Sequence, residues 1–225
     1  MRGVDHEVSA IPAGLAYGTF VAHLPVPGTV LLTALMTSTV MLADGDQKCS
    51  SAGRSLGFAS RWVAAGIEKV SGGHRHLTHS LLGIAAFTGL AWLGGHYRHD
   101  WWAVAGPGLL LAIGFAAAFG SLGAKGHIGD AVAILLAGGV VWYQPALVLL
   151  PLATALGVAT HILGDCLTVD GCPLLLPLTW FRFRVPWPLA FRTGTWREVV
   201  VRVVLLAAIP VLVYHAVALP SWPAL

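Results

Sequence analysis

This sequence contains five long stretches that have no Asp, Glu, Lys or Arg. In this chain of 225 residues they cover residues 8–43, 76–97, 101–124, 131–164 and 203–225. The charged residues are concentrated between them, with eight from Asp44 to Arg75 and eight from Asp165 to Arg202. A helix needs about 20 apolar residues to cross the hydrocarbon core. Long apolar blocks separated by compact charged segments therefore indicate a polytopic helical membrane protein.

The composition excludes two classes of protein. Hydrophobic residues make up 56% of the chain and charged residues 10%, whereas a soluble domain carries about 25% charged residues. A water-soluble enzyme and a disordered regulator are therefore excluded. We expect an all-α fold, a polytopic transmembrane helical bundle with about six or seven membrane helices, some short or partial. Residues 1–225 are expected to form a single integral membrane domain.

Seven apolar segments are predicted to be membrane helices. They are A 9–24, B 28–43, C 78–95, D 101–120, E 130–143, F 145–165 and G 199–219. Segments A, B and E are short, because sixteen helical residues rise about 24 Å against a hydrocarbon core of about 30 Å. We therefore expect that some of these three cross the membrane only in part.

The distribution of basic residues predicts the orientation. With seven crossings and a cytoplasmic N-terminus, eleven Lys and Arg residues fall inside and only Arg98 falls outside, while Arg202 lies within a membrane segment. Because cytoplasmic loops are enriched in Lys and Arg, we predict a multi-pass protein of the plasma (inner) membrane of a prokaryote. Membrane lipids are the expected partners, and no nucleic acid is expected. The Pro- and Arg-containing segment 173–197 is predicted to be a re-entrant or interfacial loop, or a cytoplasmic loop anchored by tryptophans.

Ionisable residues at the membrane edge fall into three clusters, and such residues are functional candidates because they are costly to place there. Asp44 and Asp46 end segment B, the run His74–Ser80 leads into segment C, and His161 and Asp165 end segment F. Each cluster alone has a simpler explanation. Asp-x-Asp is typical of a helix stop, a His-rich run of a solvated loop, and an i, i+4 pair of hydrogen bonding within the core.

The predicted topology places all three clusters at the cytoplasmic edge, although they are far apart in sequence. Imidazoles and carboxylates that converge at one depth suit Zn²⁺, Mn²⁺ or a related divalent ion. We therefore predict a site for one or two divalent metal ions. Arg75 would offer a planar pair of donors to a phosphate or carboxylate group of the substrate.

The run His74-Arg-His-Leu-Thr-His-Ser80 resembles the signature of the YdjM-like family of membrane-bound, metal-dependent hydrolases. Other motifs are similar to that family in the same order: His6 with Ser9, Leu42–Asp46, His161–Pro177 and Arg192–Glu198. Two positions differ, with Ala43 in place of the usual proline and Gln47 where many members have histidine.

The resemblance implies a small helical membrane protein that hydrolyses a substrate with a divalent metal. By position it implies the metal ligands His6, Asp44, Asp46, His74, His79, His161 and Asp165. It further implies that Arg75, Thr78 and Ser80 contact the substrate or support the metal ligands. His74 is expected to take part in catalysis as a ligand or as a proton shuttle.

The resulting hypothesis is hydrolysis by metal-activated water at the cytoplasmic membrane edge. The expected bond is a phosphoester, with a carboxylic ester or an amide as the alternative. A site at this depth favours a lipid or another amphiphilic, phosphate-containing substrate. A type 2 phosphatidic acid phosphatase is excluded, because Ala155 stands where that family needs arginine and no Arg-Pro dipeptide occurs. A metal-ion or proton transporter is an alternative, although the centres of segments D, E and G contain no ionisable residue. A non-catalytic membrane scaffold with a structural metal is another.

Overall fold

The computed structural model describes residues 1–47, 50–54, 56–97, 99–121 and 126–218. Within these ranges the regular structure is helical, which confirms the predicted all-α fold. The α-helices are α1 (Gly3–Ala16), α2 (Val26–Thr39), α3 (Ser51–Arg54), α4 (Phe58–Ser71), α5 (Leu81–His96), α6 (Trp101–Ser121), α7 (His127–Trp142), α8 (Gln144–Cys166) and α9 (Trp196–Ala218). The positions of Lys48, Arg98 and Lys125, and the predicted last residue of segment G, lie outside the described residues.

All seven apolar segments contain a helix, but their lengths differ. A π-helical turn at Tyr17–Val21 extends α1, and a 3₁₀ segment at Val40–Asp46 extends α2. Among the described residues, Val26–Asp46, Ala146–Cys166 and Trp196–Ala218 are long and apolar enough to cross a membrane. Segment B, predicted to be short, is therefore one of the long ones. The apolar helices at 81–96, 104–120 and 127–142 are shorter.

The region between segments B and C differs from the compact loop that the charge pattern suggests. It contains the amphipathic helix α4, which buries Ser60 and Ala64 and exposes Arg61 and Trp62. Segment C also begins later than predicted, because Ser80 caps α5 by accepting a hydrogen bond from the Gly83 amide at 3.3 Å. Residues 77–79 consequently form a separate 3₁₀ turn ahead of α5.

Small residues bring α2, α6 and α8 close together. A Cβ atom added at Gly114 of α6 would lie 1.8 Å from the Ser38 carbonyl oxygen of α2. A Cβ atom at Gly157 of α8 would lie 2.5 Å from Thr39 Oγ1. The Thr39 hydroxyl in turn donates to the Ala153 carbonyl at 3.2 Å. Close approach through small residues and interhelical hydrogen bonds is typical of membrane helix packing. It holds the C-terminal half of α2 against α8.

The connection from α8 to α9 folds back over the end of α8. The Val185 amide donates to the Cys166 carbonyl at 2.9 Å, and the Phe191 amide donates to the Leu167 carbonyl at 3.1 Å. The same connection reaches α5, because the Leu81 amide donates to the Leu174 carbonyl at 2.9 Å. The ends of α5 and α8 are thereby held together at one end of the bundle.

We expect Gly114→Ala to destabilise the protein by roughly 1–3 kcal/mol, because the new methyl group overpacks the contact with Ser38. The matched change Gly120→Ala in the same helix meets no atom within 4 Å and should leave stability unchanged. The midpoint of thermal unfolding in detergent, followed by tryptophan fluorescence, measures both variants. Equal midpoints would contradict the close packing of α2 and α6.

Candidate metal centre

Four separate parts of the fold bring ionisable side chains to one place. These are α1, the 3₁₀ extension of α2, the connection between α4 and α5, and the C-terminal end of α8. The side chains that meet are those of His6, Asp44, Asp46, His74, Arg75, Thr78, His79, His161 and Asp165. Residues more than 150 positions apart, such as His6 and Asp165, are thus neighbours.

Four donor atoms form the centre of this cluster. His79 Nε2 lies 3.6 Å from Asp44 Oδ1 and 3.6 Å from Asp165 Oδ2. His161 Nε2 lies 3.4 Å from Asp44 Oδ1 and 3.9 Å from Asp165 Oδ2. Each imidazole nitrogen therefore faces both carboxylate oxygens. We call these four residues the inner cluster.

The donor atoms of the inner cluster fit a divalent ion. Ligands at about 2.1 Å from a tetrahedral ion lie about 3.4 Å apart, close to the four nitrogen–oxygen separations of 3.4–3.9 Å. Within the described part of the chain, neither His79 Nε2 nor His161 Nε2 has a hydrogen-bond partner, although both are buried. A buried polar atom without a partner is costly, and a cation held between the four atoms would satisfy both nitrogens.

Asp46 lies on the other side of His79. Its Oδ2 is 3.7 Å from His79 Nδ1 and accepts a hydrogen bond from Thr78 Oγ1 at 2.5 Å. It also accepts from the Arg75 amide at 3.2 Å, while Asp46 Oδ1 is 2.9 Å from His74 Nδ1. A carboxylate behind a histidine is the arrangement that orients metal-binding imidazoles. The predicted ligand Asp46 is thus placed behind the inner cluster.

The carboxylate oxygen of Asp165 that is not part of the inner cluster, Oδ1, is surrounded by donors. Asp165 Oδ1 lies 2.9 Å from the Arg75 guanidinium, 3.3 Å from His6 Nε2 and 2.5 Å from the α-amino group of Met1. The ring of His6 also stacks on that of His161, with centroids 3.7 Å apart. These contacts leave Asp165 Oδ2 directed at the imidazoles of the inner cluster.

Some side chains of the cluster are fully buried, and three are partly exposed. His79, His161 and Asp165 are at most 1% exposed. Asp44 is 16% exposed, Arg75 15% and His74 36%. The part of the cluster nearest to the surface is therefore formed by Asp44, His74 and Arg75. Arg75 has a positive φ of 55°, and its guanidinium contacts both Asp165 and the exposed Asp170.

The surroundings of His79, which precedes α5, favour positive charge. Burial alone lowers the pKa of its imidazole, but the carboxylates of Asp44 and Asp46 outweigh burial and raise that pKa to about 9. The cluster is therefore a place where a cation is stabilised, whether a proton or a metal ion.

Two predicted residues and two unpredicted ones complete this description. Thr78 contacts Asp46, whereas the Ser80 hydroxyl donates to the Leu77 carbonyl at 2.6 Å and serves as the cap of α5. Ser80 is therefore not brought to the inner cluster. Sequence reasoning missed Asp170 as a partner of Arg75 and the Met1 amine as a partner of Asp165. No spacing rule marks either contact, because both depend on how distant segments pack.

Comparison with known proteins gives a match to a protein family. The model of the family described as YdjM inner membrane protein matches residues 1–221. No curated protein and no solved structure matches the chain.

A second group of charges fastens α1, which carries His6, to α9. The Arg202 guanidinium contacts the buried Asp5 carboxylate. Glu198, also buried, accepts hydrogen bonds from the Arg2 amide at 2.8 Å and from the Gly194 amide at 2.6 Å. The charge of Arg202 within a membrane segment is thus paired, as such charges almost always are. The signal in the sequence was Arg202 itself, since an arginine within a membrane segment requires an acidic partner.

We expect Arg202→Met to destabilise the protein by roughly 3 kcal/mol, because it leaves the buried Asp5 without its cation. Asp5→Asn combined with Arg202→Met should recover part of this loss, since the buried carboxylate of Asp5 that lacks a cation is then removed. Thermal unfolding midpoints of the single and double variants test the contact. A double variant that is less stable than Arg202→Met would contradict it.

Proposed function

This chain belongs to the family of YdjM inner membrane proteins, and on that premise we propose that it is a membrane-embedded, metal-dependent hydrolase. The observation that carries the proposal is the inner cluster, in which two buried imidazole nitrogens without hydrogen-bond partners face two carboxylates. A purely structural network would satisfy these nitrogens. Because both nitrogens face the carboxylates of Asp44 and Asp165, the arrangement supports a site that holds a cation.

The ion is assigned to His79, His161, Asp44 and Asp165. Two imidazoles and two carboxylates form a donor set suited to Zn²⁺ or Mn²⁺. When bound, a divalent ion of this kind lowers the pKa of water and polarises a phosphoryl or carbonyl oxygen. Asp46 would orient His79 through its Nδ1 side. His6 would hold Asp165 and His161 in place through its contact and its stacking.

Two residues on the accessible side have roles toward the substrate. Arg75 presents its guanidinium beside Asp165, where it would neutralise charge that develops on a phosphate oxygen. His74, partly exposed and held by Asp46, is placed to carry a proton to or from the leaving group. His74 is also a candidate ligand for a second ion, because its donor atom lies within 4.8 Å of those of Asp44 and His79.

The proposed substrate is a phosphoester of a lipid or of another amphiphile. The support is location, because the cluster lies where α2 and α8 end beside the charged connections. The excess of Lys and Arg in those connections favours the cytoplasmic side of the inner membrane. The alternatives to a hydrolase are a transporter and a scaffold with a structural metal. Transport would need polar groups on several helices through the membrane midplane, and a scaffold would bind metal without hydrolysing anything.

We expect about one or two divalent ions per chain in detergent-purified protein. Asp44→Ala and His161→Ala should lose this metal because each removes a donor of the inner cluster. Metal content by mass spectrometry measures the effect. His127→Ala is the matched control, because His127 begins α7 and is exposed. If folded wild-type protein takes up neither added zinc nor added manganese, the hydrolase proposal is wrong.

We expect Arg75→Lys to lower hydrolysis of a chromogenic phosphodiester at least tenfold while the metal content stays at the wild-type level. Lysine keeps the charge but loses the planar pair of donors that reaches two oxygens at once. Arg192→Lys, at an exposed position, serves as the control. If the wild type binds metal but transports no ion across a vesicle membrane and hydrolyses no phosphoester in a broad panel, the scaffold alternative replaces the hydrolase.

A further inference from the structure

An apolar groove opens between α4 and α5, beside the candidate metal centre. Its volume is about 400 Å³, which lies in the range of about 300–1,000 Å³ typical of ligand pockets. Ile67 and Val70 form the α4 wall, and Leu82, Ala86 and Phe87 form the α5 wall. On each wall the lining residues recur at helical spacing, so the groove runs along both helices.

The groove adjoins the candidate centre through Thr78. The connection between α4 and α5 carries His74 and Arg75, and the same two helices wall the groove. Thr78 belongs to both places, since it lines the groove and its hydroxyl donates to Asp46 at 2.5 Å. A molecule with its polar end beside Arg75 can therefore place an apolar end between the two helices.

The outer side of the groove carries exposed apolar side chains. Val70 and Leu82, one on each wall, are exposed large hydrophobic residues. Further along α4, Phe58 and Trp62 are exposed beside the exposed Arg61. Exposed aromatic and basic residues on one amphipathic helix are typical of a helix at the membrane interface. In a membrane protein, hydrocarbon rather than water is thus the natural occupant of such a groove.

We propose that this groove binds one hydrocarbon chain of the substrate, with the phosphate of the same molecule beside Arg75. The inference rests on the proposed function, because the head group would lie at the centre assigned there. It narrows the substrate to an amphiphilic phosphoester that enters laterally from the bilayer between α4 and α5. A soluble phosphoester without a chain would use the centre but not the groove.

Two glycines allow a controlled test. A Cβ atom at Gly66, which lines the groove, would meet no atom within 4 Å, so Gly66→Leu starts a side chain there from an open position. Gly139 of α7 is equally open and does not line the groove, so Gly139→Leu is the matched control. Ala86→Leu narrows the groove from the α5 wall and serves as a second variant if Gly66→Leu does not fold.

The probe is hexadecyl phosphate with a photoreactive diazirine in the middle of its chain, added to the full-length protein in detergent. We expect labelled peptides from α4 and α5, identified by mass spectrometry. Unlabelled hexadecyl phosphate should compete at a concentration at least tenfold lower than butyl phosphate, and inorganic phosphate should compete least. Gly66→Leu or Ala86→Leu should lower labelling at least fivefold, while Gly139→Leu should retain it.

Labelling that Gly66→Leu and Ala86→Leu leave unchanged, or that hexadecyl phosphate does not displace, would overturn the inference and indicate bulk lipid or detergent at this surface. Metal content measured in the same preparations separates the two proposals. A protein without metal whose labelling still follows the groove retains the chain-binding site but is no hydrolase. If the protein binds metal but the groove variants are labelled like the wild type, the chain-binding inference is wrong and the hydrolase proposal is unaffected.

Discussion

A carboxylate removed from water requires positive charge or hydrogen-bond donors, because desolvation of an unpaired ion costs several kcal/mol. This requirement organises the end of the bundle where Asp46 and Asp165 lie, both at most 1% exposed. Neither carboxylate is satisfied by its own helix. Asp46 depends on the connection between α4 and α5, and Asp165 depends on that connection and on α1. The buried acids therefore tie together segments that apolar packing alone would leave free to slide.

The two oxygens of Asp165 and the two nitrogens of His79 divide their contacts in the same way. On the outer side, Asp165 Oδ1 meets Arg75 and His6, and His79 Nδ1 meets Thr78 and Asp46. On the inner side, Asp165 Oδ2 and His79 Nε2 face each other at 3.6 Å without a hydrogen bond. Polar groups that are well supported behind and unsatisfied in front are typical of preorganised binding sites. This asymmetry distinguishes the cluster from an ordinary buried network.

Local rules in the sequence explain the helices better than they explain the cluster. The charge-free blocks predict every apolar helix, and the i, i+4 spacing correctly places His161 and Asp165 on one face of α8. The side of α5 that faces its neighbours could not be predicted, because its sequence is apolar on all sides. The helix α4 was missed, since a search for charge-free blocks passes over an amphipathic helix. The position of Asp46 behind His79 depends on a 3₁₀ turn and its side-chain contacts, which no spacing rule encodes.

The late position of α8 in the chain determines when the cluster can first exist during synthesis. Of the inner cluster, Asp44 and His79 are made early, whereas His161 and Asp165 belong to a helix completed only at Cys166. Until α8 has left the ribosome and inserted, the early carboxylates face an incomplete set of partners. A partly made chain thus has neither the full donor set nor the closed end of the bundle. The complete centre can therefore form only after most of the membrane-embedded chain has been made and inserted.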